Sequence, residues 1–279
     1  MSPIFIRRFS LTGLLLAASF STLFAQSLLT SRVHSGTPSG AVGDSRAAAK
    51  PTIVLVHGAF ADGTSWQHVI PLLEHDGYTV IAVQNPLTSL AADVETTKRM
   101  IDAQPGAVVA VGHSYGGAVI TGAAAGNAHV KALVYIAAFA PEAGEPIGAY
   151  SKKYPAALDQ ALLPDAAGFV YIDRKQFWEL FAKDVPLAEA RVMAATQKPI
   201  IGSAFASSVP RAAWKTIPSW YLVTQQDQAI NPNLQRFYAQ RMGAKTSEIK
   251  ASHVPFISRP AEVARLIKQA ASAPMVAVK

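Results

Sequence analysis

The chain has no cysteine among its 279 residues. That absence excludes disulfides, thiolate metal sites and a cysteine nucleophile together. Only 15% of the residues are charged while 50% are hydrophobic, which is the composition of a packed globular protein and not of a disordered one. Basic runs are missing as well. Without Arg7 and Arg8 the formal charge of +7 falls to +5, and that excess is scattered at residues such as Arg174, Lys198, Arg211 and Lys268, with no aromatic platform between them. Nucleic acid is therefore not an expected partner. There is no G-x-G-x-x-G, no phosphate-cradling lysine motif, and no His-x-Glu-x-x-His or similar ligand spacing, so neither a nucleotide cofactor nor a metal is expected.

Long apolar runs are scarce too, and the one near the start is short. Residues 11–20 are apolar with Ser and Thr interruptions, preceded by Arg7 and Arg8 and followed by Ala25-Gln26. This is the layout of an export signal, too short to span a bilayer comfortably. The expectation is a cleaved signal at 1–25, a periplasmic or secreted protein with no stable membrane insertion afterwards, and a flexible leader at 26–50. A retained N-terminal anchor is the alternative.

From Pro51 onward the pattern changes. Short apolar, β-branched runs at 52–56, 79–83, 107–111, 132–139 and 220–224, with a further strand at 246–250, alternate with segments of helical period. Alternation of this kind predicts an α/β fold over 51–279, with a mostly parallel central sheet of about six strands flanked by helices. Between about 141 and 205 the alternation breaks into a stretch rich in proline and aromatic rings. A structureless loop of that length is improbable, so a helical cap inserted between two strands is expected there.

The most informative stretch is Ala107 to Gly117, AVVAVGHSYGG. A G-x-S-x-G sequence between a strand and a helix is a nucleophile elbow, in which the serine stands on a sharp turn at the carboxyl end of the sheet. Ser114 is thus the candidate nucleophile. Its hydroxyl needs a general base, and the base needs a carboxylate to fix its tautomer. In this arrangement the order along the chain is serine, acid, histidine. Of the seven histidines only His129 and His253 follow Ser114, and no acid lies between Ser114 and His129. That leaves His253, in a loop past the last strand. Asp227, just after the strand 220–224, is favoured as the acid, with Glu142 as its rival. The acids of the cap, Asp159, Asp165, Asp173 and Asp184, are expected in solvent. Backbone N–H groups of Ala59 and Tyr115 are the expected donors to the oxyanion. His57 precedes the serine and is read as a structural residue bonding loop backbone; His113 is expected beneath the turn.

Together, His57-Gly58-Ala59, Gly112 to Gly116, Asp227 and Ser252-His253 resemble the α/β-hydrolase superfamily. The likeness is closer to its compact branch of plant methyl-ester esterases, hydroxynitrile lyases and bacterial esterase-like proteins, and it covers about 51–271. The resemblance implies a Ser114–His253–Asp227 triad and an oxyanion hole at Ala59 and Tyr115. It also implies serine-dependent hydrolysis of a small to medium, largely apolar carboxylic ester, a small-molecule substrate and no cofactor. Phe60, Phe139, Phe177, Trp178 and Val254 are the expected pocket residues. Two departures bear on activity: Val254 stands where lyases of this branch carry a lysine, and no antiparallel strand pattern appears in 26–50. Lyase or perhydrolase chemistry, or a non-catalytic ligand-binding receptor, are the alternatives.

Overall fold

A computed structural model describes residues 49–274. The expected export signal, and all but the last two residues of the leader, lie outside the described residues.

Six strands form one sheet: β1 (Thr52–Val56), β2 (Val80–Val83), β3 (Val108–His113), β4 (Val130–Ile136), β8 (Ser219–Thr224) and β9 (Lys245–Ile249). Their order is β2-β1-β3-β4-β8-β9, and every neighbouring pair is parallel. The three central strands β1, β3 and β4 are buried almost throughout, because helices cover both faces of a parallel sheet. The edge strand β9 reads Lys-Thr-Ser-Glu-Ile and is largely exposed, the polar composition that discourages pairing with another chain. β4 stops at Ile136, earlier than the apolar run suggests, since Ala137 turns to a positive φ of 45°.

The covering helices start where their sequences supply the missing hydrogen bonds. α2 (Leu90–Asp102) is capped by Ser89, whose hydroxyl accepts from Ala92 N–H, and it buries Leu90, Asp93, Thr97 and Ile101 along one face. α6 (Pro232–Arg241) and α8 (Pro260–Ser272) both begin on a proline, which lacks the N–H that a helix start leaves unpaired. α1 (Ile70–His75) and α3 (Tyr115–Ala123) complete the layers.

The chain leaves the sheet after β4 and returns at β8. This excursion carries two helices, α4 (Phe177–Phe181) and α5 (Leu187–Thr196), and also a small antiparallel sheet of β5 (Leu162–Pro164), β6 (Phe169–Ile172) and β7 (Ile200–Ile201). A purely helical cap is thus corrected to a mixed one. Strands of three, four and two residues are too short to show alternation in a sequence.

The sheet order places the chain reversal between β1 and β3, and ligands of open parallel sheets bind outside the carboxyl ends of strands at such a point. The register pairs Val56 with Gly112, which sets the loop after β1 against the loop after β3. A Cβ built on Gly58 would lie 2.7 Å from Ser114 Cβ, and one on Gly116 would lie 2.4 Å from the Val56 carbonyl oxygen. These neighbours are backbone or short side chain and have no room to retreat. Gly116→Ala is expected to lower unfolding free energy by roughly 3 kcal/mol or more, whereas Gly106→Ala, whose Cβ meets nothing within 4 Å, should stay within about 0.5 kcal/mol. Urea titration of the two variants checks the contrast.

Candidate active site

Ser114 stands between β3 and α3, as the residue that caps the helix, with φ 53° and ψ −124°, a conformation rare for any residue but glycine. Its backbone is fixed on both sides: Ser114 N–H donates to Ile136 O at 3.2 Å, and its carbonyl accepts from Gly117 and Phe139 at 3.0 and 3.1 Å. The side chain is the free part. Ser114 lines a cavity of about 410 Å³ together with His253, Ala59, Phe60, Phe139, Phe181 and Phe205.

Asp227 follows β8 and is buried. Five donors converge on its carboxylate. Oδ1 accepts from Ala229 N–H at 2.7 Å and Ile230 N–H at 2.9 Å. Oδ2 accepts from Thr224 Oγ1 at 2.9 Å, Gln235 Nε2 at 2.8 Å and His253 Nδ1 at 2.7 Å. Two N–H groups, a hydroxyl and an amide donate to it, so it acts as an acceptor and Nδ1 must donate as well. The His253 tautomer follows: Nδ1 carries the proton toward Asp227, and Nε2 keeps its lone pair. Among the described residues the ring bonds through Nδ1 alone, and His253 lines the cavity that Ser114 also lines. No hydrogen bond joins Ser114 Oγ to Nε2, although both residues line the same cavity.

The two expected oxyanion donors sit at the same end of the sheet. Tyr115 N–H is the first of α3 and has no intrahelical acceptor. Among the described residues neither it nor Ala59 N–H donates to the protein. The Tyr115 side chain anchors the turn from below, its hydroxyl donating to Asp93 Oδ2 at 2.7 Å. Burial pushes the Asp93 carboxyl up from its ordinary value and the Tyr115 phenol well up from its own.

The remaining histidines of the site are locked. His57 donates from Nδ1 to Gly58 O at 2.8 Å and accepts Asn85 N–H on Nε2 at 3.0 Å. Burial lowers its pKa to about 4. His113 donates from Nε2 to the His253 carbonyl at 2.8 Å and lies tilted with its ring 4.6 Å from that of His253; burial holds it neutral, its pKa well below the usual range. Glu142, the rival acid, is half-buried and pairs with Lys215 at 2.8 Å, away from His253.

The expected pocket residues divide. Phe60 and Phe139 line the cavity, while Phe177, Trp178 and Val254 do not. Phe177 is fully buried against Phe181, one helical turn on, and it is Phe181 that reaches the cavity. Trp178 points to the outer side of α4, where Nε1 donates to Val185 O at 3.0 Å and Lys183 covers its ring. Val254 packs into the core because the chain begins a helical turn at Pro255, the start of α7 (Pro255–Ser258). Of the cap acids expected in solvent, Asp159 is exposed at the cavity it lines, whereas Asp184 is half-buried and accepts from Ser252. Gln235 and Thr224 were not legible as site residues, since neither stands in a motif; Phe181 had a signal, its spacing of four from Phe177.

Residues 53–266 match the alpha/beta hydrolase family. An alpha/beta hydrolase of Aspergillus novofumigatus, nvfD, is 28% identical over 245 residues, covering 80% of this chain and 97% of that protein. A probable hydrolase of a Phoma species, R7, is 26% identical over 247 residues, covering 80% of this chain and 98% of its own length. The crystal structure of a pyrethroid hydrolase from Sphingobium faniae superposes with a TM-score of 0.70 at 24% identity, over 80% of this chain and 98% of that one, and shows the same fold.

Two outcomes are expected from this geometry. Gln235→Leu removes a donor from Asp227 and an acceptor from Thr224 N–H, so it should cost about 1–3 kcal/mol in a urea titration. The second concerns acid. Folded His57 titrates at about 4 against 6.5 for an ordinary histidine, so between those values the unfolded chain binds more protons. The stability supplied by neutral His57 is complete above pH 6.5 and is lost as pH falls toward 4, on the order of 3 kcal/mol in all. Buried His113 acts in the same direction. Melting temperature measured from pH 7 down to 4.5 should fall steeply in the wild type and less steeply in His57→Gln.

Proposed function

The chain belongs to the alpha/beta hydrolase family, and from that premise we propose that it is a serine-dependent carboxylic-ester hydrolase acting through an acyl-enzyme. One observation carries the reading: Asp227 binds Nδ1 of His253 at 2.7 Å and leaves Nε2 toward the cavity where the strained elbow presents Ser114. Ser114 Oγ attacks the ester carbonyl while Nε2 of His253 takes its proton. Negative charge develops on the carbonyl oxygen, and the free N–H groups of Ala59 and Tyr115 are its donors. As the intermediate collapses, His253 returns the proton to the departing alcohol. Water, deprotonated by the same imidazole, then releases the acid and restores Ser114.

The cavity supports a largely uncharged ester of small to medium size. Its lining is dominated by apolar and aromatic side chains, with Asp159 as the charged group and no lysine or arginine. Nothing there favours cyanohydrin chemistry, because Val254 is buried and no cation lines the space. On the same terms, the export signal read at residues 1–25 would put this hydrolysis in the periplasm or outside the cell.

Assays on 4-nitrophenyl esters of graded acyl length test the reading. Ser114→Ala should lower kcat by about 10⁴-fold or more with KM little changed. A fluorophosphonate probe should label the wild type at Ser114. Full activity in Ser114→Ala would overturn the proposal.

A further inference from the structure

His253 is steadied from more than one side. Asp227 holds its Nδ1 and His113 holds its carbonyl, both from the body of the sheet. The residue before it is held by the cap instead. Ser252 is buried and gives both of its donors to one carboxylate: its N–H reaches Asp184 Oδ2 at 3.1 Å, and its hydroxyl donates to Asp184 Oδ1. Asp184 lies 68 residues earlier, just past α4. On the same segment Phe181 sets its ring 4.9 Å from the His253 imidazole and 6.2 Å from that of Phe60. The bond from Trp178 Nε1 to Val185 O ties the two ends of this segment together, so Phe181 and Asp184 meet the histidine loop as one piece.

We propose that Asp184 is a positioning residue, a carboxylate latch through which the cap sets the loop carrying His253 against Ser114. The inference rests on the serine-hydrolase reading above. A two-pronged bond to a carboxylate fixes both the position and the rotation of the Ser252 peptide, and charge-assisted bonds of this kind are the strong ones. The peptide it fixes is joined directly to His253, and errors of about 1 Å in a general base are costly to catalysis. Around this turn the backbone bonds from Gln226 N–H to Ala251 O and from Ala251 N–H to Ile249 O hold the loop only up to Ala251. At Ser252 the latch orients the peptide, one residue before His113 takes the His253 carbonyl. A clamp that merely pressed the cap onto the body would act differently, through substrate affinity or stability rather than turnover.

The test uses the full-length enzyme and 4-nitrophenyl butyrate. Asp184→Ala removes both bonds, Asp184→Asn keeps one accepting oxygen, and Ser252→Ala leaves the N–H bond in place. The latch predicts that kcat falls between about tenfold and a hundredfold in Asp184→Ala and less in the other two variants, with KM within about threefold throughout. The double variant Asp184→Ala/Ser252→Ala should be no slower than Asp184→Ala alone. Hydrogen–deuterium exchange of the peptide spanning 250–254 should quicken in Asp184→Ala while that of β8 does not. The proposal is overturned if kcat stays within about twofold of wild type, or if KM rises with kcat unchanged. Should Asp184→Ala not fold, the ordering of Asp184→Asn and Ser252→Ala against wild type decides. A wild type that does not turn over the ester sinks the hydrolase reading instead; the exchange measurement then judges the latch alone, and unchanged exchange overturns it.

Discussion

Ser114 stands on a left-handed backbone because the strand, turn and helix around it approach more closely than side chains permit. A Cβ on Gly112 would lie 2.5 Å from the Gly116 carbonyl oxygen, and one on Gly117 would lie 2.4 Å from that of Phe139. Glycine at these positions is a steric requirement, and the packing it allows supports a conformation that costs of order 1–3 kcal/mol for a residue with a side chain. The same closeness lets the loop after β1 lie beside the turn, which brings Ala59 to the cavity that Ser114 lines. Loosening this approach would displace the hydroxyl and the proposed oxyanion donors together.

Three histidines cluster at this end of the sheet, and hydrogen bonding sorts them. His57 has both ring nitrogens occupied by backbone groups, and His113 has one nitrogen occupied and the other sealed in the core. Neither can take a proton from a substrate or from Ser114. His253 alone combines a carboxylate on one nitrogen with a cavity at the other. Asp227 in turn is set by groups on β8, on the loop after it and on α6, so the proposed general base is aligned by the same elements that build the sheet.

The local parts of this arrangement were legible in the sequence. Five residues, Gly112 to Gly116, carry the elbow, and chain order alone separates His253 from six other histidines. Apolar runs marked the central strands because a parallel sheet buries both faces. What the sequence did not show depends on long-range contacts. Gln235 occupies one ordinary position of a helix, and only folding turns its amide onto Asp227. Asp184 reads as a surface acid of the cap until the chain brings Ser252 to it. The pocket was half legible for a similar reason: α4 is a single turn, and its sequence does not say whether Phe177, Trp178 or Phe181 faces the body. The small cap sheet escaped because its strands are too short to carry a period.

The cap therefore does more than cover the cavity. It supplies the Phe181 ring over His253 and the Asp184 carboxylate behind it, while Arg241 of α6 pairs with Glu145 at 2.7 Å and bonds the Ala140 carbonyl at 2.6 Å where the excursion begins. In the proposed mechanism one connected unit thus both lines the cavity and steadies the base. The central claim, that Ser114 becomes acylated, is tested most directly by rapid acid quench of the enzyme during turnover of a 4-nitrophenyl ester, followed by peptide mass spectrometry. The account predicts an acyl increment confined to the peptide containing Ser114 and absent from Ser114→Ala. Sustained hydrolysis with no increment at Ser114, or with the acyl group on another side chain, would contradict it.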